Sequence, residues 1–196
     1  VSRAKLGITY SAINSALAEI NGYKNTGLLI ATVAEDSGLY GKAEAGDFIG
    51  EKKLIAQHLK GAWEGNKWRM ADGSLWEIIV TGVGALNVMQ ALRNIPLDAQ
   101  LINIGYAGSA NYAIGSVVTV GEVRLNHPCV TYPEPTLLLP AIHEDYLIDA
   151  QQVIQSICYS NTDFVLQSDY TDCVFDMELA YIAGLGYTQL YALKIV

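Results

Sequence analysis

Two short runs of consecutive apolar residues constrain the fold of this chain most. Residues 28–33 read LLIATV and residues 101–104 read LINI, each bounded by polar or glycine-rich sequence. A strand with one solvated face alternates apolar and polar residues, whereas a strand buried on both faces is almost continuously apolar. Both runs therefore predict buried strands of a parallel sheet that is covered on its two faces.

Segments with helical periodicity alternate with strand-like segments along the chain. Helices are predicted over residues 51–59, 85–94, 144–157 and 175–185, and strands over residues 63–70, 75–80, 117–123 and 189–196. Asp72-Gly73 predicts a hairpin turn between two of these strands. The order predicts an α/β fold with a mostly parallel or mixed sheet.

The first 25 residues form a separate segment ahead of one domain over residues 26–196. Apolar residues step by four and three positions, which predicts an amphipathic helix over residues 6–20 (Leu6, Tyr10, Ile13, Leu17 and Ile20). Polar residues interrupt the segment, so it lacks the apolar core of a secretion signal. We expect it to pack on the domain or on a partner subunit.

Composition narrows the class of partner. The chain has 196 residues with 51% hydrophobic and 16% charged residues, which excludes a disordered protein. A net charge of −8 disfavours nucleic-acid binding. No apolar run reaches the ~18 residues of a membrane span. These features favour a small-molecule ligand.

The cysteine pattern predicts free thiols. Cys129, Cys158 and Cys173 are odd in number and widely spaced, without a Cys-x-x-Cys pair. This spacing argues against a disulfide framework and a zinc site, and it predicts a reducing compartment, the cytoplasm. The three scattered histidines add no metal-ligand spacing, and we expect neither a metal nor a cofactor.

Three spots follow predicted strands, where α/β sheets bind their ligands. Glu35 and Asp36 come after the first apolar run and are either partly desolvated general bases or solvated loop acids. Gly82-Val83-Gly84 offers backbone N–H groups to an anion or is a plain tight turn. The small residues of 105–109 let a ligand approach, while Tyr106 among them either stacks on that ligand or narrows its pocket.

The acids Asp176 and Glu178 flank Met177 at the start of an otherwise apolar predicted helix. A buried carboxylate requires hydrogen-bond donors, and the vicinal hydroxyls of a sugar are suitable donors. The alternative is that both acids lie in the first helical turn, where the macrodipole favours them. The residues alone leave these two interpretations open.

Two pieces of sequence carry a resemblance to a known superfamily. They are LINIGYAGS at 101–109, followed by IGSVV at 114–118, and VFDMELAYIA at 174–183. Together they resemble the nucleoside phosphorylase/nucleosidase superfamily, most closely its 5′-methylthioadenosine/S-adenosylhomocysteine nucleosidase type. The resemblance implies a three-layer α/β/α fold with a mixed central sheet. It implies hydrolysis of the N-glycosidic bond of a purine nucleoside, which releases the free base.

The resemblance also implies roles for single residues. Glu178 would hold the ribose hydroxyls and Met177 would pack on the sugar, with Asp176, Gly84 and Tyr106 in the same substrate site. Phe164 would stack on the base, groups near Val165 would bond its edge, and Ala107 and Gly108 would line its pocket. Glu35 or Asp36 would activate water. A homo-oligomer is implied, a homodimer or a larger assembly, in which the partner closes the site. Residues 126–140, with their apolar 137–139, are either part of that interface or a buried loop anchor.

The chain departs from the pattern of the superfamily at several positions. Tyr106 replaces a small residue, Ser109 a glycine and Asp176 a glutamate. The superfamily places a catalytic aspartate after the last strand, whereas this sequence stops at Val196. We expect either a truncated chain or one without that acid. In the second case a nucleoside-binding protein that has lost catalysis is an alternative function.

A phosphate-dependent phosphorylase is the other alternative. Such enzymes hold phosphate with arginines near the glycine turns, and this chain has only Arg3, Arg69, Arg93 and Arg124. Asn103 stands where hexameric purine phosphorylases have an arginine. A dianion without a cationic clamp is poorly held. Water is therefore favoured over phosphate, unless Arg124, Lys42 or a partner subunit supplies the charge.

Overall fold

The computed structural model describes most of the predicted domain. It covers residues 29–34, 42–43, 46–47, 50–126, 137–148 and 153–196. The predicted helix over residues 6–20, the acids Glu35 and Asp36, and residues 127–136 of the proline-rich loop lie outside the described residues. The predictions made for them therefore remain predictions.

A ten-stranded mixed sheet forms the centre of the molecule. Its strands are β1 (Leu29–Val33), β4 (Gly61–Glu64), β5 (Lys67–Met70), β6 (Leu75–Val80), β7 (Gln100–Tyr106), β8 (Val117–Asn126), β9 (Leu137–Leu138), β10 (Val153–Asn161), β11 (Cys173–Asp176) and β12 (Gln189–Ile195). They lie in the order β11-β10-β8-β12-β7-β1-β6-β5-β4, and β9 pairs with β8. Short strands β2 (Lys42–Ala43) and β3 (Gly46–Asp47) pair separately.

Helices cover both faces of this sheet, which confirms the predicted three-layer α/β/α architecture. The described helices are α1 (Glu51–His58), α2 (Ala85–Leu92) and α3 (Leu179–Gly184). Residues of α2 and α3 share one buried apolar cluster with the sheet. Residues of α1 share a second cluster on the opposite face. The sheet is thus buried from two sides, as its apolar runs require.

The two apolar runs occupy the middle of the sheet as predicted. Strand β1 pairs in parallel with β6 and β7, and β12 also runs parallel to β7. Ile30 and Leu101 are fully buried on the face of α2 and α3, while Val33 and Ile104 are buried on the face of α1. The carboxyl ends of β1, β6, β7 and β12 therefore meet at one edge.

The predicted helix over residues 144–157 is wrong. Only Glu144–Tyr146 form a short 3-10 turn, and Val153–Asn161 form strand β10. This strand pairs in parallel with β8 over its whole length. The apolar residues that suggested a helical face are β-branched or aromatic, and pairing with a buried strand outweighs a weak helical period.

Two further boundaries differ from the prediction. Residues 63–70 belong to a hairpin rather than one strand, because Gly65 with φ of 63° turns the chain between β4 and β5. The predicted helix over 175–185 begins only at Leu179, and residues 173–176 form strand β11. Asp176 and Glu178 therefore precede the helix instead of lying in its first turn.

The sheet closes on itself beside the glycine-rich turn after β7. Gly108 and Phe175 of β11 exchange backbone hydrogen bonds of 2.9 and 2.8 Å. The amide of Ala107 donates to the carbonyl of Ile195 at the end of β12. This closure brings the β11–α3 corner to the edge where β1, β6 and β7 end.

Candidate functional site

Glu178 lies at the corner between β11 and α3 and connects two distant parts of the chain. Its Oε1 accepts a hydrogen bond of 2.9 Å from the amide of Gly84, and its Oε2 accepts one of 3.3 Å from the amide of Met177. Gly84 precedes α2 with φ of 83°, a conformation that favours glycine. The glycine turn thus presents one N–H group to an anion, and that anion is a side chain of the protein.

The carboxyl of Glu178 titrates near neutral pH. Its residue is only 6% exposed, and burial together with the negative charge of Asp176 raises its pKa to about 7. Lys194 and the Gly84 amide oppose this rise, while Glu51 adds to it. A carboxyl group that gains and loses a proton near pH 7 is a common feature of catalytic and binding sites.

Asp176 is engaged entirely within the protein. Its Oδ1 accepts 2.5 Å from the Ser160 hydroxyl, and its Oδ2 accepts 3.0 Å from the Leu179 amide and 2.6 Å from Lys194 Nζ. The Ser160 oxygen accepts in turn from the Ala180 amide at 2.7 Å. Asp176 therefore fixes the start of α3.

Lys194 on β12 is a buried cation with two partners. Its Nζ lies 2.6 Å from Asp176 Oδ2 and 2.6 Å from Asn103 Oδ1. Asn103 donates through Nδ2 to the Thr32 hydroxyl at 3.1 Å. Burial lowers the pKa of Lys194, but the charge and hydrogen bond of Asp176 act together with Cys158 and Glu178, and their sum outweighs burial, so the net pKa is raised. The lysine is therefore an ammonium ion.

Glu51 reaches the same edge from the other face of the sheet. It is the first residue of α1, only 6% exposed, and its Oε1 accepts a hydrogen bond of 3.0 Å from the Tyr106 amide. A Cβ atom at Gly105 would lie 2.5 Å from this oxygen, so a side chain there would require the Glu51 carboxyl to shift. The negative charge of Glu51 adds to the rise in the pKa of Glu178, after the larger effects of burial and Asp176.

The predicted residues after β7 take different positions. The side chain of Tyr106 packs against the cluster on the α1 face. Ala107 packs against the opposite cluster. A Cβ at Gly108 would meet nothing within 4 Å, so open space adjoins this turn. Small residues thus leave room beside the turn, and Tyr106 lies on the other side of the sheet from Ala107.

The residues predicted to hold a base lie in and beside the loop after β10. Phe164 is 71% exposed, whereas Val165 packs against Tyr159, Cys173 and Phe175. Because Phe175 bonds Gly108, Val165 lies in a layer adjoining the glycine-rich turn. Met177, beside Glu178, is half-buried.

Sequence reasoning missed Glu51, Lys194 and Ser160. Glu51 looked like an ordinary acid at the start of a helix, a position that the macrodipole favours. Lys194 and Ser160 are polar residues at positions where their strands point into the core. A lysine that interrupts the apolar run of 189–196 was the available signal, because lysine is rarely buried without a partner.

The described arginines either contact groups other than the site carboxylates or are exposed. Arg69 pairs with Glu64 on the β4–β5 hairpin, and Arg124 bonds Glu122 at 2.6 Å and the Tyr159 hydroxyl at 3.1 Å. Arg93 is exposed after α2. Tyr159 belongs to a cluster separate from the one beneath Ser160. Arg124 is therefore occupied on the other side of β10.

Among the residues that the structure describes, no group of three or more His, Cys, Asp or Glu side chains could hold a metal ion. In the same part of the chain, no helix is long and apolar enough to cross a membrane.

The fold matches solved structures although the sequence is divergent. No protein-family model matches the chain, and a comparison with curated proteins finds no match. A Chlamydia trachomatis MTAN (5′-methylthioadenosine/S-adenosylhomocysteine nucleosidase) variant bound to MTA (5′-methylthioadenosine) is similar, with TM-score 0.58, 18% identity, and coverage of 87% of this chain and 81% of that chain. The adenine-bound form gives TM-score 0.56 and 16% identity over the same shares.

A Helicobacter pylori MTAN bound to an inhibitor is similar at TM-score 0.50 and 13% identity, over 87% of this chain and 85% of that chain. A structural match at identities this low shows that the fold is shared. The chemistry has to be argued from the residues of the site. The chain has the fold of these nucleosidase structures, with the mixed central sheet that the resemblance implied.

Proposed function

We propose that the protein hydrolyses the N-glycosidic bond of a purine nucleoside of the MTA type and releases the free base. The observation that carries the proposal is Glu178, a buried carboxylate held by the Gly84 and Met177 amides at the edge where the strands end. Its setting is a fold shared with nucleosidase structures that contain MTA or adenine.

Glu178 is suited to bind the ribose diol. Each oxygen accepts one backbone hydrogen bond, which leaves further lone pairs for two vicinal hydroxyl groups. Cleavage of an N-glycosidic bond leaves positive charge on the sugar, and a nearby carboxylate stabilises that charge. Glu178 performs both tasks in its ionised form, with Met177 against the sugar.

The water that attacks the sugar requires a base. Glu51 is buried at the same edge, is oriented by the Tyr106 amide and interacts with Glu178, so we assign it this role. Glu35 and Asp36, which follow β1 in the sequence, are the alternative bases. The base takes a proton from water as the oxygen bonds to the anomeric carbon, while the glycosidic electron pair leaves with the purine.

Water rather than phosphate is the proposed nucleophile. The described arginines are engaged or exposed elsewhere, and Lys194 is neutralised by Asp176. A phosphate dianion would therefore meet two carboxylates without a free arginine among the described residues, which is unfavourable. If water is the nucleophile, added phosphate leaves the rate of base release unchanged.

We assign the base to the open side of the glycine-rich turn. Gly108 leaves space beside this turn. Val165 packs in the same cluster as Phe175, which bonds Gly108, and the exposed Phe164 offers an aromatic face. Stacking on an aromatic ring together with backbone hydrogen bonds is a suitable means of holding a purine. Ala107 lines the same turn.

The test combines binding with turnover. Isothermal titration with MTA measures affinity, and chromatography follows release of adenine from MTA, adenosine and inosine, with and without phosphate. Glu178→Gln and Glu51→Gln remove the proposed charges, and Glu35→Gln and Asp36→Asn test the alternative bases. Glu64→Gln is the matched control, since Glu64 pairs with Arg69 on the exposed hairpin.

We expect wild type and Glu64→Gln to release base without phosphate. Glu178→Gln is expected to lose binding, and Glu51→Gln to bind MTA but lose roughly 10²–10⁴-fold in turnover, the range of general-base catalysis. Release only with phosphate would instead identify a phosphorylase. Binding without release would identify a nucleoside-binding protein.

We further propose a cytoplasmic homodimer. Leu138 is 77% exposed on β9, and Leu86 and Met89 are exposed on α2, which is apolar surface of the kind that interfaces bury. Cys158 and Cys173 are free and buried, as in a reducing compartment. Light scattering of the purified protein measures the mass, and a monomer would contradict the dimer.

A further inference from the structure

Lys194 occupies a position that the proposed reaction does not explain. The residue is 2% exposed and lies on β12 among the alternate positions that otherwise carry Leu190 and Ala192 of the core. Burying an ammonium ion costs several kcal/mol unless it is paired and hydrogen-bonded. It therefore requires the contacts that Asp176 and Asn103 provide.

The partner that Lys194 neutralises is close in sequence to Glu178. Asp176 accepts from Lys194 and from the Leu179 amide with the same oxygen, while its other oxygen accepts from Ser160. Glu178 stands between Asp176 and the end of that hydrogen-bonded turn. Any movement of the Asp176 carboxylate therefore changes the corner that carries Glu178.

Charged and titratable groups face Glu178 from several elements. They are Asp176 on β11, Lys194 on β12 and Glu51 on α1, with Cys158 on β10 and Tyr181 on α3 nearby, and α2 contributes the neutral amide of Gly84. Asp176 and Glu51 disfavour the ionised form of Glu178, and among these side chains only Lys194 favours it. Burial keeps the thiol of Cys158 protonated by raising its pKa.

We propose that Lys194 is a positioning residue which, through Asp176, sets the pH at which Glu178 becomes a carboxylate able to bind the ribose diol. Lys194 does not touch the substrate in this scheme. It holds Asp176 against the start of α3, and its charge offsets that of Asp176 at Glu178. The choice of MTA as the test ligand rests on the proposed function, whereas the ionisation of Glu178 is independent of any ligand.

The two members of the pair have opposite effects, which gives the proposal a specific signature. Removing Lys194 alone leaves an uncompensated negative charge beside Glu178 and moves its ionisation to higher pH. Removing the charge of Asp176 alone leaves a positive charge and moves the ionisation to lower pH. Removing both restores a value near that of the wild type. A purely structural role would shift stability without this change of sign.

The experiment measures MTA affinity by titration calorimetry from about pH 5.5 to 9 in the Glu51→Gln background, which is expected to bind MTA without hydrolysing it. The protein otherwise unchanged is compared with Lys194→Met, Asp176→Asn and the double variant in the same background. Affinity falls on the acid side as Glu178 gains its proton. We expect the pH midpoint of this fall in affinity to rise by about one unit in Lys194→Met and to drop by about one unit in Asp176→Asn, the size typical of a neighbouring charge. In the double variant and in Lys194→Arg, this midpoint is expected to stay at the value found without a change at Lys194 or Asp176.

A ligand-free measurement separates this proposal from the proposed function. Carbon-13 labelling of glutamate carboxyl groups lets NMR follow Glu178 directly, with Glu178→Gln identifying its signal. If wild type fails to bind MTA, the proposed function is wrong, and the NMR titrations still decide the role of Lys194. If Lys194→Met does not fold, Asp176→Asn and the double variant decide it. Identical titrations in all folded variants, or shifts of one sign, would overturn the proposal.

Discussion

The amide of Gly84 donates a 2.9 Å hydrogen bond to Oε1 of Glu178, across 94 positions of sequence. This bond ties the start of α2 to the corner before α3. It also places a backbone dipole against the one buried carboxyl of the described residues whose pKa is raised to about 7. Both the stability of the protein and its proposed activity therefore depend on Glu178.

Replacement of Glu178 by glutamine is expected to stabilise the protein at alkaline pH. The pKa of this carboxyl rises from 4.5 unfolded to about 7 folded, so the folded state binds the proton more tightly. Stability is then highest below pH 4.5 for this group and falls as pH rises through about 7. At about 1.4 kcal/mol for each pKa unit, the cost above pH 8 is at most about 3–4 kcal/mol.

Urea unfolding of both proteins near pH 5 and pH 8.5 measures this effect. The gain in Glu178→Gln should be small at the lower pH and largest at the higher pH, while activity is lost at both. An equal effect at the two pH values would contradict a titrating Glu178. Glu64→Gln, on the exposed hairpin, is expected to show no pH-dependent difference.

The pH dependence of turnover should have an acid limb near the pKa of Glu178. Burial and the charge of Asp176 raise that pKa to about 7, and the ionised form is the one that accepts hydrogen bonds from the ribose. Below it, kcat/KM is expected to fall about tenfold for each pH unit. Initial rates of adenine release across this range test it, and a flat profile would show that Glu178 does not titrate in the free protein.

Alanine at Gly105 is expected to displace Glu51. The added Cβ would lie 2.5 Å from Glu51 Oε1, which then loses its hydrogen bond from the Tyr106 amide. We expect a loss of stability of about 1–3 kcal/mol from overpacking, together with loss of turnover. Gly184→Ala is the matched control, since nothing lies within 4 Å of its added Cβ. Equal melting temperatures for the two variants would contradict the close approach of Glu51.

Removal of the Ser160 hydroxyl is expected to weaken the β11–α3 corner. That hydroxyl donates to Asp176 at 2.5 Å and accepts from the Ala180 amide at 2.7 Å, all without exposure to water. Ser160→Ala leaves a buried amide without its partner, at a cost of about 1–3 kcal/mol. Denaturant unfolding measures the cost. Thr188→Ala, at an exposed position before β12, serves as comparison, and a smaller loss for Ser160→Ala than for Thr188→Ala would count against the role of Ser160.

The thiols of Cys158 and Cys173 are expected to resist alkylation in the folded protein. Burial raises both pKa values, so neither group is a thiolate at neutral pH. Iodoacetamide labelling followed by mass spectrometry should modify them only in denaturant. Rapid labelling of Cys158 in the native state would show that the core beneath Asp176 opens.

Local sequence was sufficient for much of the fold. The apolar runs of 28–33 and 101–104 specified central strands, and Gly82–Gly84 specified the start of a helix. Residues 153–157 fit the predicted helix as well as a strand because they include β-branched residues at irregular spacing, and only pairing with β8 decides between the two. The predicted roles for Glu178, Met177, Glu35 and Asp36 depend on resemblance to a superfamily, and all of them remain predictions.

By itself, the sequence determined a sheet buried on both faces and a carboxylate at the edge of its core, because apolar runs and glycine turns act through neighbouring residues. Only the tertiary structure decided which polar residues meet. Thr32, Asn103, Lys194, Asp176 and Ser160 each follow a core residue by two positions on separate strands. Strand order and register join them into one hydrogen-bonded chain. Such a network depends on contacts between strands distant in sequence, which no local pattern encodes.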